Sequence, residues 1–168
     1  MEVTLTTPGA LDAIAALADE PECIVGAGTV LTAAEARDVA AAGGRFAMSP
    51  VVDPPVIAAT HTAGLLAVPG AGTATEILTA HRAEARMVKV FPSGALGGPE
   101  FLRKIRGPLP GIQLVPTSGP TADTLGDYVA AGAVAVGVGA EVLADPTPDA
   151  VEAAARRVRQ AMDAARGA

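Results

Sequence analysis

Tryptophan is absent from this chain, and other chemically distinctive residues are scarce. Cys23 is the only cysteine, which excludes an intramolecular disulfide and argues against a thiolate metal centre. A small buried hydrophobe is the expected role for Cys23. The two histidines, His61 and His81, lack metal-ligand spacing and fall at expected helix ends, so no metal site is expected. Aromatic residues make up 2% of the chain, so the core must be built from thin aliphatic layers. No basic run occurs and the formal net charge is −6, which excludes the cationic footprint of a nucleic-acid binder. The uncharged apolar window Val129 to Ala140 is too short to span a bilayer. The opening residues do not pair a basic start with an apolar stretch, so no secretory leader is expected. The expectation is a soluble, cytoplasmic protein with no membrane or nucleic-acid partner.

What is abundant is Ala, Val, Leu and Gly, arranged in seven similar units. Each has a short apolar run, a loop and an Ala-rich segment of helical period. The runs are Glu2–Leu5, Cys23–Ala27, Arg45–Met48, Leu65–Val68, Met87–Phe91, Ile112–Val115 and Val134–Val138. They recur roughly 20–25 residues apart, the length of a strand, a helix and two short loops. Thr32 to Glu35 and Thr73 to Glu76 read as capping boxes. Asp53-Pro54 reads as an N-cap followed by a first-turn proline. Thr121 and Asp123 are expected to start the helix that holds Tyr128. A long last helix is expected from Asp149 to Ala165, and Gly43 and Gly132 are expected to stop helices.

Strand–helix alternation without hairpin signals means a parallel sheet with right-handed crossovers. An open dinucleotide-binding sheet would want G-x-G-x-x-G after the first strand. The early Gly26-Ala-Gly28-Thr29 lacks the third glycine and comes on the second strand. The expected fold is therefore α/β, a (β/α)8 barrel. Seven units are one short of closure, and Met1 stands directly before strand residues. A single barrel domain over residues 1–168, lacking its first βα unit, is the expectation.

Barrel enzymes build their sites at the C-terminal ends of the strands. Of the two lysines, Lys104 lies in the charged stretch Arg103 to Arg106 and is expected to be solvated. Lys89 lies among apolar strand residues, opposite Val88 and Val90. Desolvation there would favour the free amine, which can attack a ketone and form a Schiff base. A structural ion pair is the competing reading. Glu2, on the first strand, could hold that amine or shuttle protons, and structural pairing again competes. Gly26-Ala-Gly28-Thr29 brings N–H groups and a hydroxyl to a strand end, where a carboxylate could bind; a tight turn explains the pattern equally well. Pro116 to Gly119 and Gly137 to Gly139 occupy the last two strand ends, where many barrels bind phosphate. The carboxylate of Glu141 follows closely and weakens that reading.

Glu2-Val-Thr-Leu5, Val25 to Thr29, Phe46 to Pro50, Pro69-Gly70, Val88-Lys-Val-Phe-Pro92 and Pro116 to Gly119, in this order and spacing, resemble the 2-keto-3-deoxy-6-phosphogluconate (KDPG)/4-hydroxy-2-oxoglutarate (KHG) aldolase family. The resemblance covers nearly the whole chain. It implies a class I lyase that cleaves a 2-keto-3-deoxy sugar acid, or 4-hydroxy-2-oxoglutarate, to pyruvate and an aldehyde. Lys89 becomes the Schiff-base lysine and Glu2 the general acid/base. Thr29, Gly28, Pro50, Phe91, Thr117, Ser118, Gly119 and Gly139 become substrate-binding residues. No metal or organic cofactor is implied, and the assembly is expected to be a homotrimer acting on a small 2-keto acid.

Four departures from the family pattern stand out. The first strand and helix are absent, and with them a basic residue expected at the site. Thr6 stands where an arginine usually follows E-V-T-L. Ser118-Gly119 replaces Gly-Gly. Glu141 falls where a phosphate-binding serine is common. The last two point away from a phosphorylated aldehyde. A catalytically impaired fragment, and a phosphate-binding barrel of other activity, are the alternative expectations.

Overall fold

The computed structural model describes residues 1–167. The chain divides into two compact units, Met1–Lys89 and Val90–Ala168.

In the first unit, strands β1 (Glu2–Thr4), β2 (Gly26–Gly28), β3 (Phe46–Met48) and β4 (Leu66–Val68) form a parallel sheet in chain order. The helices between them are α1 (Ala10–Leu17), α2 (Ala33–Ala41) and α3 (Pro54–Thr62). Ile14, Val25, Ala27, Val30, Val39, Ala47, Val56 and Leu65 form the buried cluster between helices and strands. Half-buried Cys23 packs against that cluster. Parallel strands buried by helices need uninterrupted small aliphatic residues, which is what the composition supplies.

The expected caps form. Thr32 and Glu35 make a reciprocal capping box at the start of α2, and Asp53 accepts from the Val56 N–H ahead of Pro54 in α3. Thr73 caps α4 (Ala74–Arg82) by accepting from the Glu76 N–H at 3.2 Å. The Glu76 carboxylate reaches the Gly72 N–H at 2.9 Å and the Thr73 hydroxyl at 3.0 Å. Gly43 takes positive φ just past α2, and Gly132 does so just past the helix Leu125–Ala130, as expected. His61 and His81 fall in the last turns of α3 and α4.

A short strand not read from the sequence, β5 (Gly70–Ala71), follows β4 after one residue. That residue is Pro69, which has no N–H to continue a ladder. Its carbonyl instead accepts the Lys89 N–H at 2.8 Å, on strand β6 (Met87–Val90).

The second unit holds α5 (Gly98–Arg106), β7 (Gln113–Pro116), α6 (Leu125–Ala130) and α7 (Pro148–Gly167). Leu102, Ile105, Leu114, Leu125 and Tyr128 are buried there. Lys104 is exposed, 3.5 Å from Glu100 on the next turn. Two expectations are corrected. The run Val134–Val138 is not a strand. It runs beside β7 and donates from Val134 to the Leu114 carbonyl at 3.1 Å and from Gly137 to the Pro116 carbonyl at 2.9 Å. Two bonds to one neighbour, across a glycine-containing stretch, do not make a ladder. The helix expected from Thr121 or Asp123 begins at Leu125. Thr121 spends its N–H on the Thr124 hydroxyl at 3.0 Å, and Asp123 turns outward to Arg157.

No helix among the described residues is long and apolar enough to cross a membrane.

Candidate active site

The candidate residues of the first unit stand on β1, β2, the ends of β3 and β4, and β6. Lys89 is 8% exposed, and its strand neighbours Val88 and Val90 are fully buried. Alternation on β6 thus sends Val88 and Val90 one way and Lys89 the other, with all three buried. A lysine is seldom so enclosed without a use or a partner.

Glu2 begins β1 and pairs with Gly26, while Thr4 pairs with Gly28. The Glu2 side chain leans along the sheet until its carboxylate lies over Gly28. A β-carbon at position 28 would collide with Oε1 and stand 2.6 Å from Cδ. Glycine at 28 is what lets the carboxylate rest on the β2 backbone. Glu2 remains exposed, so a proton can pass between its carboxylate and water.

Thr29 follows directly, with φ of 59°. A β-branched residue in the left-handed region is a true outlier, at a cost of about 1–3 kcal/mol. Such strain gathers where the chain must present a side chain at a fixed angle. Pro50, past the end of β3, is half-buried; its carbonyl group stands 2.6 Å from where a β-carbon on Gly70 would sit. That contact holds the chain just past β3 closely against β5.

The second unit carries the other candidates. Phe91, at 37% exposure, precedes Pro92 through a cis peptide. Ser93 donates its N–H to the Thr117 carbonyl at 2.9 Å, Gly94 donates to the Ser118 carbonyl at 3.0 Å, and Thr117 donates to the Val90 carbonyl at 3.1 Å. Residues 90–94 and 117–119 are thereby laced together. Gly119 lies so close that a β-carbon there would stand 2.5 Å from the Gly94 nitrogen. Ser118 takes φ of 57°, a second strained residue just past a strand end. The Thr117 hydroxyl is buried and has no hydrogen-bond partner among the described residues. Gly139 is exposed; a β-carbon there would meet no atom within 4 Å.

Two features here were invisible in the sequence. Ser93 is fully buried, and its hydroxyl is also without a partner among the described residues; nothing in K-V-F-P-S announces this. Arg157, on α7, binds the Glu141 carboxylate at 2.8 Å and Asp123 at 2.6 Å. Its guanidinium is held above its ordinary pKa, first by the hydrogen bond to Asp123, then by the charges of Asp123 and Glu141. Glu141 also accepts the Ala122 N–H at 2.7 Å. No cluster of three or more His, Cys, Asp or Glu side chains fit to hold a metal ion occurs among the described residues.

Residues 1–154 match the family model for KDPG and KHG aldolase. This chain belongs to that family. The KHG/KDPG aldolase of Escherichia coli K12 is 39% identical to it over 131 residues, which are 77% of this chain and 62% of the relative. The chain thus spans less than two thirds of that enzyme's length. The fold agrees as well. A solved structure described as native KDPGal overlays 99% of this chain and 82% of its own, with a TM-score of 0.92 and 28% identity. The KDPG aldolase of Legionella pneumophila overlays 94% of this chain and 75% of its own, with a TM-score of 0.78 and 30% identity; its pyruvate was captured as a covalent carbinolamine intermediate. The α/β class with a parallel sheet is therefore the class of the family.

Proposed function

We propose that this chain carries the chemistry of a class I aldolase, with Lys89 as the nucleophile and Glu2 as the proton carrier. The observation that carries this reading is the burial of Lys89 on β6 between two fully buried valines. The reading takes the substrate as a 2-keto-3-deoxy sugar acid or 4-hydroxy-2-oxoglutarate.

The steps follow from the groups present. The free amine of Lys89 attacks the C2 ketone and gives a carbinolamine, and loss of water gives the protonated Schiff base. Glu2 supplies the proton that lets the hydroxyl leave. Glu2 then accepts the proton of the C4 hydroxyl. The C3–C4 bond breaks, its electron pair flows into the iminium, and the aldehyde departs. The enamine takes a proton at C3, and water releases pyruvate and the lysine. General acid/base assistance of this kind contributes about 10²–10⁴-fold. Thr29 and the Gly28 backbone take the carboxylate end of the substrate. Pro50, Phe91, Thr117, Ser118, Gly119 and Gly139 take substrate-binding roles in the same reading.

The fold is read as a single (β/α)8 barrel domain that lacks its first βα unit, a reading the α/β alternation of the chain supports. A homotrimer acting in the cytoplasm completes it. The test is pyruvate release from KDPG and from 4-hydroxy-2-oxoglutarate, followed with lactate dehydrogenase and NADH. Release from either supports the reading, and release from neither by the folded protein contradicts it.

A further inference from the structure

In barrels of this class an anionic end of the substrate is commonly held by backbone N–H groups in the loops after the last two strand positions. In this chain those loops run from Thr117 to Thr124, after β7, and from Gly137 onward, after the stretch beside it. The N–H of Ala122, in the first loop, does not face open space. It donates at 2.7 Å to the carboxylate of Glu141, from the second loop. Ala122 is buried, and the Glu141 side chain is only 22% exposed. The other oxygen of Glu141 is bound by Arg157 at 2.8 Å. Arg157 is itself shared with Asp123. Arg157 is therefore committed to two carboxylates, and these three side chains together keep a net negative charge.

We propose that Glu141 is a specificity-determining residue. Its carboxylate takes the place of a substrate anion in these loops, so the preferred substrate ends in a neutral hydroxyl rather than a phosphate. This deepens the aldolase reading and rests on it. A phosphate arriving here meets an N–H already donated, a guanidinium already paired, and two carboxylates of its own sign. A neutral hydroxymethyl group meets no such repulsion.

The experiment compares 2-keto-3-deoxygluconate with its 6-phosphate in the full chain, in Glu141→Ser and in Glu141→Gln. Glu141→Ser removes the carboxylate. Glu141→Gln keeps an oxygen able to accept from Ala122 and removes only the charge, so it guards against a loop that collapses in the serine variant. Inorganic phosphate binding to all three is measured in parallel, as a rise in melting temperature over chloride at equal ionic strength. We expect the wild type to favour the non-phosphorylated acid at least tenfold in kcat/KM. Glu141→Ser should move that ratio at least tenfold toward the phosphate ester, and should gain a phosphate-dependent rise that the wild type lacks. A wild type that favours the phosphate ester overturns the proposal. So does a folded Glu141→Ser whose ratio and phosphate response match the wild type. Pyruvate from neither substrate in any of the three strikes the aldolase reading, and the phosphate response then decides the role of Glu141 by itself.

Discussion

The Glu2 carboxylate lies over the Cα of Gly28, in the space that a β-carbon at position 28 would fill. The pair joins β1 to β2 through a contact that only glycine allows. Gly28→Ala should therefore push the carboxylate off its seat while leaving the strand backbone able to form. The expected result is a fall in kcat of about 10²-fold or more, with circular dichroism unchanged. A variant with wild-type kcat would show that the position of Glu2 is not needed for turnover.

Ser118 holds φ of 57° without being glycine. Glycine enters that region freely, whereas an L side chain there costs about 1 kcal/mol or more. Relief of strain outweighs the extra chain entropy only if the strain is real. Ser118→Gly should raise the melting temperature by a few degrees, by about 1 kcal/mol in a domain of this size. A lowered melting temperature would mean that the serine side chain contributes more than the strain costs.

Ser93 buries a hydroxyl that has no partner among the described residues. Removing such a group loses no hydrogen bond and spares its desolvation, about 1–3 kcal/mol at most. Ser93→Ala is expected to be neutral or mildly stabilising in thermal unfolding. A clear loss of stability would mean that an ordered water bridges this hydroxyl to the protein.

Much of the fold was legible because its signals are local. The box at Thr32 and Glu35, the Asp53-Pro54 start of α3 and the six apolar runs that became strands depend on neighbours within a few residues. What was not legible depends on long-range pairing. Val134–Val138 has the composition of a strand, yet its N–H groups give just two bonds to β7 among the described residues. Pro69 divides one expected strand end into β4 and β5 because the next pairing partner is β6. In the candidate site, Lys89 stood out because lysine is rare here and its neighbours are apolar. The strain at Thr29 and the pairing of Glu141 with Arg157 could not be read, since both arise from loops meeting in space.

Glu76 offers a test by pH. Its carboxyl is held below the ordinary value of 4.5, chiefly by the Gly72 N–H and then by the Thr73 hydroxyl. A carboxyl depressed in the folded state contributes stability above pH 4.5, and that contribution is lost as pH falls through the lower folded value. Glu76→Gln should lower stability at pH 7 slightly, with the gap to wild type closing below pH 4.5. Urea unfolding at pH 7, 5 and 3.5 checks this, and a gap that stays constant would contradict it.

The central claim is that Lys89 forms the covalent bond to substrate. The most direct measurement is borohydride reduction in the presence of pyruvate, followed by peptide mass spectrometry, with Lys89→Arg as the control. The account predicts a reduced pyruvyl adduct on the peptide Met87–Arg103, placed on Lys89 and absent from the variant. An adduct on Lys104, or none on a folded chain, would contradict it.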